Sequence, residues 1–342
     1  MTILPPSTFI QQILELISTI ANLLTLLISL YLLCVVIYYF IHSNSIRRRQ
    51  ILKDMSIRLS LNTHCLLIIR SILQFIDIDL NTIKRNYLSI QKFENSFICR
   101  FRGYLLLSIH NCLYWSYTIQ AVFRFIRVIF PNYISLCQST ISFCIFISWS
   151  YTIQAVFRFI RVIFPNYISL CQSTISFCIF ISIQFFFGFI CMFPIFIGFN
   201  AIYLLPNEPY CTASYNKLAS LTYMPIFAFV LPLSTIAICY LCIAWKTRHI
   251  TIIRPYQHRN RRDFLVIRRM ILIITAISMV SLPLLIDLFI HLPKGYIDPY
   301  MNSIGWVSSS INAVILVIGL PFINPKLYEL FKRKTNMIHV QG

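Results

Sequence analysis

The chain has 342 residues, of which 58% are apolar and only 11% are charged. A soluble protein needs a larger charged surface, so this composition excludes a water-exposed globule and indicates helices that face lipid or one another. The formal net charge of +19 comes from 29 basic and 10 acidic residues, and the basic residues lie in short clusters between apolar runs. Anionic lipid at the cytoplasmic membrane surface matches such clusters, so the lipid bilayer is an expected partner and nucleic acid is not.

Six uncharged runs are long enough for a bilayer-crossing helix, which needs about 20 apolar residues. In chain order they are 16–41, 104–123, 132–157, 166–207, 218–245 and 300–323. Two weaker candidates are 59–76, which contains Arg70, and 270–286, which follows Arg268 and Arg269. The first run lacks the basic flank and cleavage site of a signal peptide, so we predict that it is a retained span.

A 34-residue string occurs twice without one difference, at 115–148 and at 149–182. Each copy carries the end of one span, a basic loop and the start of the next span. If both copies are used, run 132–157 becomes an eighth crossing and turns every later loop to the opposite side. We interpret one copy as surplus, a tandem duplication or a gene-model error, and its removal leaves 308 residues and seven spans.

The basic residues predict the orientation of these seven spans. With the N-terminus outside, 18 Lys and Arg lie in cytoplasmic loops and in the short tail 326–342, against 7 in outside loops. The positive-inside rule therefore favours an outside N-terminus and an inside C-terminus. The sequence thus predicts an all-α membrane protein, a single seven-transmembrane helix bundle over 1–342 with an extra 34-residue segment.

Individual residues match a known family at fixed spacing. The last apolar run ends in Asn324-Pro325-Lys326-Leu327-Tyr328. Cys99 precedes the third span. Arg124 stands 25 residues after Cys99, and Pro131 stands seven residues after Arg124. These positions resemble the NPxxY motif, the disulfide cysteine, the DRY arginine and the second-loop proline of rhodopsin-like G-protein-coupled receptors.

The resemblance continues in the later spans and implies a set of switch residues. Pro232 is followed by Tyr240 after eight residues, and Asp263 precedes Pro283 by 20 residues, both as in the family. By resemblance, Arg124 pairs with Asp263, the prolines act as hinges, and Tyr240 and Tyr328 turn inward upon activation. An alternative for Arg124 is a basic loop edge that only satisfies the positive-inside rule, and prolines are common in membrane helices in any case.

The resemblance also implies that Cys99 pairs with Cys211, which lies in the loop before the fifth span. The topology places these two of the twelve cysteines outside, where a disulfide can form. The alternative is two free thiols.

Several positions depart from the family pattern. Phe123 and Phe125 replace the acid and the tyrosine of DRY, and the sixth-span CWxP reads Val280-Ser281-Leu282-Pro283. The second apolar run contains no Asp, which puts the family's sodium site in doubt. Leu106 and Ile318 stand at the family's amine-binding Asp and retinal Lys, so an aminergic receptor and an opsin are both disfavoured.

Four polar residues in the outer halves of the spans are candidate ligand contacts, namely His110, Asn111, Asp287 and His291. Polar groups at that depth normally face the bundle or a wet cavity. The alternative for His110 is a hydrogen bond to a carbonyl of a neighbouring helix.

We therefore expect a multi-pass plasma-membrane receptor that couples an unknown extracellular ligand to a heterotrimeric G protein, with no catalytic residues, metal or cofactor. In-membrane enzymes are disfavoured because the spans contain no HExxH, paired-Asp or GxSx motif. The alternatives are a multi-span transporter or channel, or a duplicated receptor copy that does not signal.

Overall fold

The computed structural model describes residues 2–3, 8–42, 55–88, 92–129, 174–205, 208–213, 218–253 and 300–323, with six further residues between 275 and 286. The helices are α1 (Phe9–His42), α2 (Met55–Gln74), α3 (Leu80–Tyr87), α4 (Phe97–Ile129), α5 (Thr174–Ile190), α6 (Leu218–Pro225), α7 (Leu231–Ile253) and α8 (Met301–Ile323). Within these described ranges, three π-helical segments occur at Phe75–Asp79, Pro194–Gly198 and Ile226–Val230. Strand β1 (Thr2–Ile3) pairs antiparallel with β2 (Lys92–Phe93), and β3 (Ile202–Leu204) with β4 (Cys211–Ala213).

Helix α1 is amphipathic with its polar face turned inward. Its buried polar residues alternate in spacing between four and three, which places them on one helical face: Gln11, Glu15, Ser18, Asn22, Thr25 and Ser29. The opposite face exposes large apolar residues such as Leu16, Ile20 and Leu27. This pattern suits a membrane bundle, because lipid accepts apolar side chains while polar groups need partners from other helices.

The second span is longer than the predicted run 59–76. Helix α2 continues through the π segment Phe75–Asp79 into α3, and residues Ile57–Tyr87 form one sufficiently apolar helix of 31 residues. The predicted run ended at residue 76 because the charged Asp77 follows it. The structure instead continues the helix past this point and buries Asp77 and Asp79 inside the bundle, so the predicted end of the span was wrong.

Five described helical stretches are long and apolar enough to cross a membrane: Phe9–His42, Ile57–Tyr87, Phe177–Gly198, Thr222–Trp245 and Asn302–Gly319. They correspond to predicted runs 16–41, 59–76, 166–207, 218–245 and 300–323. Helix α4, which contains predicted run 104–123, has 33 residues but does not reach the same apolar content. Run 132–157 and most of 270–286 lie outside the described residues.

The two identical repeats supply different parts of the described structure. The first copy provides the second half of α4 from Trp115 onward, and the second copy provides the start of α5, from Thr174 to Ser182. The two helices pack against each other, with the rings of Trp115 and Phe187 stacked at 4.6 Å between centroids. Residues 130–173, which contain the rest of both copies, lie outside the described part.

Helix α4 occupies the centre of the described bundle. It packs against α2, α5 and α7, while α1 packs against α2 and α8. One buried cluster joins Leu66 of α2, Leu113 of α4, Tyr240 of α7 and Val317 of α8. Polar contacts reinforce this packing, because Gln120 donates to Thr63 at 2.8 Å and the Thr63 and Ser116 hydroxyls are hydrogen-bonded at 2.5 Å.

Candidate functional site

A disulfide marks one end of the bundle, which we call the disulfide end. Cys99, near the start of α4, is bonded to Cys211 of β4, with 5.5 Å between their Cα atoms. This is the pairing that the family resemblance implied. Gly103 lies one turn further along α4, where a Cβ atom would stand 2.5 Å from the carbonyl oxygen of Cys211. The hairpin β3–β4 is therefore held directly against the backbone of α4.

A buried ion pair joins two helices at the disulfide end. Arg85 at the end of α3 donates from Nη2 to Oε1 of Glu15 at 2.5 Å, and Asn86 donates to the other carboxylate oxygen at 2.8 Å. The two charged side chains are only 2% and 8% exposed. Glu15 is thus fully engaged, and the pair fixes α1 against the outer part of the second span.

The carboxylate of Asp79 makes a second buried contact between the first and second spans. Oδ2 of Asp79 accepts a hydrogen bond from Nδ2 of Asn22 at 2.8 Å, and the same amide donates to the carbonyl of Ser71 at 3.1 Å. Asp79 is 1% exposed. Asn22 therefore links the first two spans through these two hydrogen bonds.

A small cavity of about 10 Å³, with room for about one water molecule, opens beside these carboxylates. It is lined by residues from α1, the second span, α8 and the loop before β4, namely Glu15, Ser18, Thr19, Ile78, Asp79, Thr82, Tyr210, Ser303 and Trp306. We call it the acidic cavity. Its lining therefore combines two carboxylates, five hydroxyl groups and two aromatic rings.

Glu208 carries a third carboxyl group at this end, in the loop before β4. It is 1% exposed. Its pKa is raised to about 8, chiefly by burial and then by the negative charge of Glu15, while Arg85 and a hydrogen bond with Tyr210 act in the opposite direction. At neutral pH this carboxyl is therefore mostly protonated.

Two of the four candidate ligand contacts lie in the described residues, and they point in different directions. His110 accepts a hydrogen bond at Nδ1 from Nε of Arg70 at 3.3 Å, and Arg70 also donates to Ser309 at 2.6 Å. His110 thus belongs to a buried polar link between α2, α4 and α8. Asn111 instead donates to the main-chain oxygens of Phe187 and Gly188 in α5. Asp287 and His291 lie outside the described residues.

The opposite end of α4 carries the predicted switch arginine. Nη1 of Arg124 donates to the hydroxyl of Tyr240 in α7 at 3.5 Å, and Tyr240 is 2% exposed. Pro232 lies one residue inside α7, directly after the π segment Ile226–Val230, and its carbonyl accepts from Thr118 at 3.4 Å. The proline therefore interrupts the helix where α4 contacts it. The remaining predicted switch residues, Asp263, Pro283, Asn324, Pro325 and Tyr328, lie outside the described part.

Sequence reasoning missed the residues that build the acidic cavity. Glu15 and Asp79 are two of only ten acidic residues in the chain. The available signal was that each lies within three residues of the end of an apolar run. Because the first predicted run begins at residue 16 and the second ends at residue 76, Glu15 was assigned to the edge of the first span and Asp79 to a loop.

Neither family models nor curated proteins match this chain. Among solved structures, the chain is similar to squid rhodopsin, with a TM-score of 0.62 and 14% sequence identity over 98% of this chain and 88% of that chain. The sequence identity is low, so the likeness concerns the fold. The helical bundle agrees with that likeness. The chain therefore has a rhodopsin-like fold.

Proposed function

We propose that this protein is a ligand-activated receptor of the plasma membrane that couples to heterotrimeric G proteins. The observation that carries the proposal is the hydrogen bond between Arg124 and Tyr240, which joins α4 and α7 at the end opposite the disulfide. An arginine held by a buried tyrosine at a helix end is suited to a two-state contact, since the guanidinium can exchange partners when the helices move.

The disulfide and the distribution of basic residues support the proposed orientation. A disulfide forms in an oxidising compartment, so the disulfide end faces outside and the Arg124 end faces the cytoplasm. The basic loops then lie inside, as the positive-inside rule requires. Seven spans satisfy this arrangement when one repeat copy is surplus.

Signalling in this proposal is a shift between two populations. The ligand binds more tightly to the conformer in which the sixth span moves outward, and the G protein favours the same conformer. Asp263 is the proposed inactive-state partner of Arg124, and Tyr240 holds the arginine in the other state. Phe123 supplies no carboxylate of its own, so the inactive state depends on Asp263 alone.

The test measures ligand-independent G-protein activation in cells. The 342-residue chain and the 308-residue chain lacking one repeat copy are each compared with Arg124→Ala, Tyr240→Phe and the control Arg127→Ala, at equal surface levels. We expect Arg124→Ala to reduce activation to the background of untransfected cells, Tyr240→Phe to reduce it partly, and Arg127→Ala to retain it. Activation that is independent of Arg124, or absent for every heterotrimer class, would refute the proposal.

A further inference from the structure

We propose that Glu208 is a proton-binding site through which the receptor responds to extracellular pH. With the proton bound, the neutral carboxyl lets the loop before β4 stay packed into the disulfide end of the bundle. Loss of the proton favours an open state, in which the loop leaves this position and the carboxylate reaches water. The inference rests on the proposed receptor function only for its effect on signalling, because proton binding and loop opening are measurable without a G protein.

The first observation is the burial of the loop before β4, of which residues 205 and 208–210 are described. All four are buried, and Glu208 and Tyr210 are only 1% and 2% exposed. The ring of Tyr210 packs against Ile78 of the second span and meets the ring of Trp306 in α8 edge-on, with 6.2 Å between centroids. Loops normally run over the surface because their polar groups need water. This loop instead carries a carboxyl group into the bundle.

The second observation is the balance of charge around Glu208. Among the described residues, the charged and titratable groups that act on its carboxyl are Glu15 of α1, Arg85 of α3 and Tyr210 of its own loop. Asp79 of the second span lines the acidic cavity together with Glu15 and Tyr210. Arg85 is the one cation in this set, and it already donates to Glu15 at 2.5 Å. An ionised Glu208 would therefore add a buried negative charge without a cation of its own, which is unfavourable.

Burial and charge together set the pH range of the switch. Burial, followed by the charge of Glu15, raises the pKa of Glu208 to about 8, against an ordinary value of 4.5. The closed position of the loop therefore binds the proton more tightly than an open position in water. The closed state is fully favoured below about pH 4.5, loses stability as the pH rises to about 8, and changes little above that value.

The loop is attached to the helix that carries the switch arginine. Cys211, the first residue of β4, is bonded to Cys99 of α4. A Cβ atom at Gly103 would stand 2.5 Å from the carbonyl oxygen of Cys211, so strand and helix are in close backbone contact. Movement of the loop therefore acts directly on α4, whose other end carries Arg124.

The expected direction of the effect on signalling comes from the opposite end of the bundle. With the loop closed over Glu208, Arg124 donates to Tyr240. The proposed function assigns this contact to the signalling conformer and the pairing with Asp263 to the inactive one. A protonated Glu208 therefore accompanies the signalling conformer, and acidification outside the cell should raise activation.

The experiment uses the full-length chain in nanodiscs from about pH 5 to about pH 9, without a G protein. Infrared spectroscopy follows the carboxyl groups of carbon-13-labelled glutamate, of which the chain has four residues. Hydrogen exchange, corrected for the intrinsic pH dependence of amide exchange, measures opening of residues 208–213. The variants are Glu208→Gln, which resembles the protonated form at every pH, and the control Glu94→Gln, which changes an exposed carboxylate. Folding is checked by the Cys99–Cys211 disulfide and the thermal midpoint.

We expect a carboxyl that titrates near pH 8 in the wild type and in Glu94→Gln and that is missing from Glu208→Gln. Protection of the loop amides should fall about threefold to tenfold per unit between about pH 5 and pH 8 in the first two chains, and it should not follow pH in Glu208→Gln. A purely structural role for Glu208 would leave loop protection independent of pH in the wild type, and that result would overturn the proposal. A wild-type spectrum in which no glutamate titrates above about pH 6.5 would also overturn it, and this measurement needs no variant.

The signalling arm compares the same three chains in cells at equal surface levels. Lowering the external pH from about 8 to about 6 should raise ligand-independent G-protein activation at least about threefold in the wild type and in Glu94→Gln, but not in Glu208→Gln. An equal response in Glu208→Gln, or a fall in wild-type activation, would overturn the assignment of Glu208 as the pH-responsive site for signalling. A titrating Glu208 with pH-dependent loop opening, but without activation of any G protein, would support the proton site and would count against the proposed receptor function.

Discussion

The buried ion pair between Glu15 and Arg85 provides a quantitative test of the bundle at the disulfide end. Glu15→Met removes the carboxylate that accepts from both Arg85 and Asn86, and it leaves a guanidinium that is 2% exposed. Breaking a buried pair in this way costs about 3 to 5 kcal/mol. Glu208 interacts electrostatically with both charges, and the loss of Glu15 lowers the pKa of Glu208, so that its carboxylate can form and compensate Arg85 in part. We therefore expect a loss of about 2 to 3 kcal/mol.

The assay is the apparent unfolding midpoint of the chain in nanodiscs, measured at one fixed scan rate because membrane proteins unfold irreversibly. The expected decrease for Glu15→Met is about 3 to 6 °C. The double variant Glu15→Met/Arg85→Met should recover most of this loss, since apolar side chains then replace both charges. Glu94→Gln, which changes an exposed carboxylate, is the control. Additive losses in the double variant would refute the ion-pair argument.

Three further predictions concern packing, pH and the repeat. Gly188→Ala should destabilise the protein by about 1 to 3 kcal/mol, because the new Cβ would overlap Sγ of Cys112, and Cys112→Ala in the same chain should restore much of the loss in the thermal midpoint. Glu208 binds its proton more tightly when folded, so stability should fall as pH rises from about 4.5 to about 8, by at most about 1.4 kcal/mol per pH unit. Glu208→Gln should flatten that thermal-midpoint profile, and an unchanged slope would contradict the assignment. The 308-residue chain lacking 149–182 should reach the cell surface while the 342-residue chain is largely retained, as measured by surface labelling of an N-terminal tag, and equal labelling would show that the bundle tolerates both copies.

Apolar runs predicted the positions of the long helices because lipid requires apolar length, and run 16–41 lies entirely within α1. The family resemblance, which rests on fixed spacing along the chain, implied the Cys99–Cys211 disulfide that the structure contains and the place of Arg124 towards the other end of α4. The same reasoning failed at Asp79, because the cost of a buried carboxylate depends on a partner that is distant in sequence. That partner, Asn22, is 57 residues away, and no property of the local run reveals it.

The polar face of α1 could have been predicted from the sequence. Its buried polar residues follow a heptad-like spacing from Gln11 to Ser29, which predicts one inward face inside an apolar helix. The spacing cannot say which helix covers that face. Contacts such as Ser18 with Ser310, which are 292 residues apart, arise only from the arrangement of the whole bundle. The inward direction of lining residues such as Glu15 and Ser18 was therefore predictable, but the cavity that they form with other helices was not.

The most direct test of the receptor account is nucleotide exchange on purified heterotrimeric G proteins by this chain in proteoliposomes, measured alongside ion and solute flux across the same membranes. The account predicts that the chain accelerates exchange on at least one heterotrimer class, that Arg124→Ala abolishes this acceleration, and that the liposomes remain impermeable. Flux through the membrane without exchange on any heterotrimer would contradict it and would identify a transporter or channel.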